Sequence, residues 1–255
     1  MLDKAKEFSG VIRPSVNQFP ELAEAVGEYA VLLDVPTHDL DVTAIWSVGG
    51  ALAAFSASYR EQNQSQTMAS PLEPQLAAKL TSLVRDHGAF ILGFEEGRDL
   101  VDRADRFALE TEVIRAIELP GNVLLNELTD NRALVEEETR KVHEPVRDAA
   151  VQFGWTTSRI GYSAYVIVRK AVFAMIKFTV GEGKRPGEIA AILIGAGTGI
   201  SVLAGDPSAE FIRAAVPVLR EHGAHLLSFF NHSPEFRAYI EWALRVLVDD
   251  DKAKN

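Results

Sequence analysis

The chain has 255 residues, 47% hydrophobic and 24% charged, with a formal net charge of −10 and no cysteine. That length can bury a core without covalent staples, and the absence of thiols excludes disulfides, thiolate metal sites, iron–sulfur clusters and cysteine nucleophiles. The acidic balance repels phosphate backbones, and no basic group larger than Lys177, Lys184 and Arg185 stands against it, so nucleic-acid binding is not expected.

The start, MLDKAKEFSG, mixes both charges with no apolar stretch behind it, which predicts no secretory signal and a cytoplasmic protein. Over 15–33, Val16, Phe19, Leu22, Val26, Ala30 and Leu33 form an apolar helical stripe that ends at DVPTHD. Asp39 or Asp41 then stands where an N-cap is needed. Residues 42–60 are apolar on every side, which predicts a buried helix, and the polar REQNQSQTMASP behind it reads as a loop. Helices follow at 74–87 and 89–117, with LPGN at 119–122 as a turn.

Residues 129–153 are charged, with Glu136 and Arg140, and Glu137 and Lys141, four apart, and Pro145 is placed to open a helix. Residues 160–180 make an apolar helix, and after GEGKRPG comes a second charge-free run at 189–205. A last amphipathic helix spans 234–248, with DDDKAKN as a solvated tail. The pattern is all-α: a helical half at 1–107, a charged connector at 108–153, a second half at 154–248 and a flexible acidic tail at 249–255.

Compared with itself, the chain matches VRDHGAFILGF at 84–94 to LREHGAHLLSF at 219–229, identical at six of eleven positions. Each copy lies downstream of a charge-free helix bearing glycine, which points to two similar halves packed around two apolar, small-residue-rich central helices. In both copies Arg and His precede glycine, the pattern of a helix C-terminus, so Gly88 and Gly223 read as caps. The functional alternative pairs His87 with His222, and His225 nearby, as a site between the halves.

ILIGAGTGI at 192–200 resembles a nucleotide loop only in its glycines. Ile200 follows Gly199, and Asp206 and Pro207 arrive too soon for the helix that would face a pyrophosphate. Spacing by four instead puts Ala191, Gly195 and Gly199 on one helix face, and Gly49, Ala53 and Ala57 on another, as helix-packing positions.

His222, His225 and His232 do not amount to a metal set, because Gly223 interrupts them and no carboxylate completes the ligands. No acid/base pair, hydrolase elbow or triad can be nominated, so neither metal nor cofactor is expected. The leading expectation is therefore a non-catalytic helical assembly or protein-interaction protein, a scaffold, adaptor or regulatory subunit, with a protein partner or self-association. One alternative is a membrane-active protein inserting its two charge-free helices. Another is an enzyme or small-ligand binder with a site between the halves.

Overall fold

The structure, a computed structural model, describes residues 1–65, 67, 71–108, 111–155, 158–180 and 209–252. Among these it is all-helical, with eleven α-helices and no strand. In chain order they are α1 (Leu2–Ile12), α2 (Pro20–Leu33), α3 (Val42–Gln64), α4 (Pro74–Leu92), α5 (Glu95–Ala108) and α6 (Thr111–Asp130). Then come α7 (Glu137–Phe153), α8 (Ser158–Val180), α9 (Ala209–Glu221), α10 (Gly223–Phe229) and α11 (Pro234–Lys252).

Contacts divide the chain into two units, one of Met1–Leu109 with Lys141–Ser163, the other of Glu110–Arg140 with Ala164–Asn255. The charged stretch expected as a connector is thus shared out between them. In the first unit α3 packs against α2, α4 and α5, and α1 packs against α2 and α4. In the second, α10 packs on α6, and α9, α10 and α11 pack on one another.

Apolar periodicity accounts for most of these elements. Asp41 caps α3 as its position suggested, its carboxylate accepting the Ala44 amide at 2.8 Å. Helix α3 is buried along both sides, including Ile45, Trp46, Val48, Leu52 and Phe55. Burying each of those large side chains favours folding by roughly 1.5–3 kcal/mol. The first helix begins at Leu2, not near residue 15, because Ala5, Phe8 and Ile12 form a buried stripe at helical spacing.

Several expected breaks do not occur. Helix α4 runs through Gly88, and the only described glycine with positive φ is Gly154, so neither Gly88 nor Gly223 is a left-handed cap. Leu76, Leu80, Leu83, His87 and Ile91 are buried along α4, and their burial outweighs the roughly 1 kcal/mol cost of an interior glycine. LPGN lies inside α6 between buried Ile117 and Leu124, and Pro145 lies inside α7 beside buried Val142 and Val146. In both helices the buried flanks hold the turn that proline weakens. Arg140 pairs with Glu137 at i,i+3, its Nη2 at 2.6 Å from Oε2.

Candidate functional site

Helix α3 brings three of the expected packing residues into view. Gly49 is buried, Ala53 half-buried and Ala57 exposed, so the small-residue face points into the unit only at its first member. There the neighbour is a side chain: a Cβ added at Gly49 would fall inside the imidazole ring of His87, which α4 carries. Only glycine leaves room for the ring. Ala191, Gly195 and Gly199, with the rest of ILIGAGTGI, lie outside the described residues.

His87 is 1% exposed, and its Nδ1 is 2.9 Å from the Tyr29 hydroxyl on α2. Burial, reinforced by the positive charge of Arg159, pushes the imidazole pKa down from 6.5 to about 3, so the ring is neutral near pH 7. Burial also raises the Tyr29 phenol, which keeps its proton. A neutral ring carries one proton, and whether the Tyr29 hydroxyl donates to Nδ1 or accepts from it follows from which nitrogen holds that proton. Nε2 has no hydrogen-bond partner.

The first unit also holds further buried polar groups without a hydrogen-bond partner, Trp46 Nε1, Ser47 Oγ and Ser163 Oγ. The α3 face carrying Trp46 and Gly50 meets the start of α8. Arg159 Cβ would lie 3.4 Å from a Cβ at Gly50, and the Trp46 and Tyr162 rings meet edge to face at 6.0 Å between centroids. Ser163 is one turn beyond Arg159 on the same face. Arg159 is half-buried and has no carboxylate partner among the described residues. Glu96, which approaches α3 at its first turn, accepts a hydrogen bond from Thr43 at 2.7 Å.

His222 and His225 belong to the second unit. His222 precedes α10 with its Nε2 3.7 Å from Glu127 Oε2 on α6, and its ring centroid lies 5.8 Å from that of His225. His232 stands beside the Tyr165 ring, Nε2 at 3.4 Å from the hydroxyl. Among the described residues no group of three His, Asp or Glu side chains is placed to hold a metal ion.

Sequence reasoning named Gly49 and His87 separately, and their contact joins them. It missed Tyr29 and Arg159, which lie in apolar helical stretches with nothing local to mark them. It also missed Gly97 and Gly161, where an added Cβ would strike the carbonyl oxygens of Ile91 and Trp155. Gly97 follows the α4–α5 turn by a few residues, a signal for close approach that spacing alone could have raised. No family model, curated protein or solved structure matches the chain, so function has to be read from its own residues.

Proposed function

We propose that the chain is a non-catalytic helical protein that works by self-association or by binding a protein partner, as a scaffold, adaptor or regulatory subunit. The observation that carries this reading is the state of His87. It is 1% exposed, and with a pKa near 3 it cannot trade protons near neutral pH, where general acid/base catalysis needs a group to do so. An interaction protein also needs apolar surface, and Val31, Leu92, Val151 and Leu119 are each more than half exposed. Helix α3 is long and apolar enough to cross a membrane by length and composition, but 83% of its most apolar window is buried, which favours a core helix over an inserting one.

The proposal includes an internal duplication around two central small-residue helices. Its support is the match between 84–94 and 219–229, one copy falling in each unit. Light scattering of the purified chain, with and without lipid vesicles, tests the functional reading. The expected result is a mass above the monomer at high concentration, or a defined protein partner retained from its native cell, with no vesicle association. A monomer at all concentrations that retains no partner overturns it.

A further inference from the structure

Toward the end of α3, polar residues fall on the face that packs on α4. Ser56, Tyr59, Arg60 and Asn63 are spaced to share that face, and Ala77, Leu80 and Thr81 share the facing side of α4. All seven, with Leu72 just ahead of α4, line a single cleft of about 340 Å³ measured out to its open mouth. The space is left because serine and alanine are small where packed helices normally interdigitate larger side chains. Ser56 is 4% exposed, and its hydroxyl makes no hydrogen bond among the described residues. Arg60 Nε donates to the Ser56 carbonyl at 3.3 Å, which turns the guanidinium back along the helix, and neither Nη group meets a carboxylate among the described residues. Leu72 and Leu80 are buried and give the cleft an apolar wall, and Tyr59 is held by the rings of Phe19 and Phe55.

We infer that this cleft between α3 and α4 is a binding site for a small monocarboxylate with a short apolar tail. A buried hydroxyl without a partner costs about 1–3 kcal/mol, which an entering acceptor recovers. Water answers the hydroxyl alone. A carboxylate answers the hydroxyl and also the guanidinium, whose two Nη groups suit its two oxygens, while a tail covers Leu72 and Leu80. Arg60 supplies the charge from the exposed side, and Ser56 supplies the donor at depth. Every group belongs to the first unit, so the site goes beyond the assembly reading and does not rest on it.

Butyrate is the probe. Sodium butyrate is titrated into the full chain against sodium chloride at matched ionic strength and against n-butanol, following saturation transfer from the protein to the ligand methyl protons and the thermal midpoint. The expected result is a saturable transfer and a saturable rise in Tm with butyrate, and no rise with chloride. Butanol, which keeps the tail and lacks the charge, should bind ~tenfold more weakly. Arg60→Gln should lower butyrate affinity by a similar factor, Arg60→Lys should restore part of it, and Ala77→Leu should abolish binding by filling the cleft. An unsaturable response, equal responses to butyrate and chloride, or equal affinities for butyrate and butanol overturns the inference. The parent chain alone gives that answer, even if Ala77→Leu fails to fold. Unchanged affinity in Arg60→Gln, an exposed position, overturns it as well. The oligomeric mass is read separately, so loss of this site leaves the assembly reading standing and the reverse holds too.

Discussion

His87 and His222 occupy equivalent places in the two matching stretches, and their surroundings are unlike. His87 sits inside the continuous α4, 1% exposed, over Gly49 and against Tyr29. His222 sits between α9 and α10 with a backbone of φ −97° and ψ 13°, its side chain 20% exposed and 3.7 Å from Glu127. The glycines that follow differ in the same way. A Cβ at Gly88 would meet nothing within 4 Å, whereas one at Gly223 would come 3.3 Å from Leu244 Cδ1 on α11. The same residues thus serve burial in one copy and a helix junction in the other. What separates them is the neighbour each helix meets, Gly49 and Tyr29 in one case, Glu127 and Leu244 in the other.

The sharpest way to break this contrast is to remove the space that His87 occupies. Gly49→Ala should destabilise the protein by about 3 kcal/mol, from displacement of the ring and loss of the Tyr29 bond. Urea unfolding measures it, and combining Gly49→Ala with His87→Ala should cost clearly less than the two separate losses summed. Strict additivity would mean that the glycine and the ring do not constrain each other.

Next in size is the histidine pair itself. His87→Gln should cost about 2 kcal/mol at pH 7, and His222→Gln less than ~0.5 kcal/mol. The two should also differ in pH dependence. The pKa of His87 falls from 6.5 to about 3 on folding, so below pH 6.5 the unfolded chain takes up a proton that the native state refuses. Its contribution is therefore complete above pH 6.5 and declines by up to ~1.4 kcal/mol per pH unit as pH falls toward 3. Glu24 and Asp148, both raised first by burial, act in the opposite sense over the carboxylate range. The informative quantity is the difference between parent and His87→Gln. Unfolding curves at pH 7 and pH 5 that give the same gap for both proteins would show that His87 ionises freely when folded.

The smallest effects fall on the glycines. Gly88→Ala should stabilise by about 0.5–1 kcal/mol, because α4 is helical there and the new methyl group meets open space. Gly223→Ala should gain less, since the tip of Leu244 must give way. Equal gains in thermal or urea unfolding would place the two glycines in the same setting and erase the contrast.

Local pattern was enough for much of the fold. The Asp41 cap, the buried α3, and the bodies of α2, α4, α8 and α11 follow from apolar spacing and from capping chemistry, which act over a few residues. Local pattern misled at Gly88, Pro120 and Pro145, where residues that usually end a helix are held inside one by buried flanks. The candidate site was half legible. Gly49 stood out by spacing and His87 by repetition, but Tyr29 and Arg159 are 58 and 72 positions from His87 and carry no mark of their own. The amino-acid order by itself determined an all-α chain with a capped, apolar third helix and no thiol chemistry, because composition and periodicity act locally. Only the tertiary structure decided that one histidine of the repeated motif is buried, neutral and bonded to Tyr29 while its counterpart is partly exposed beside a carboxylate, because ionisation and hydrogen bonding depend on groups that distant helices bring within a few ångströms.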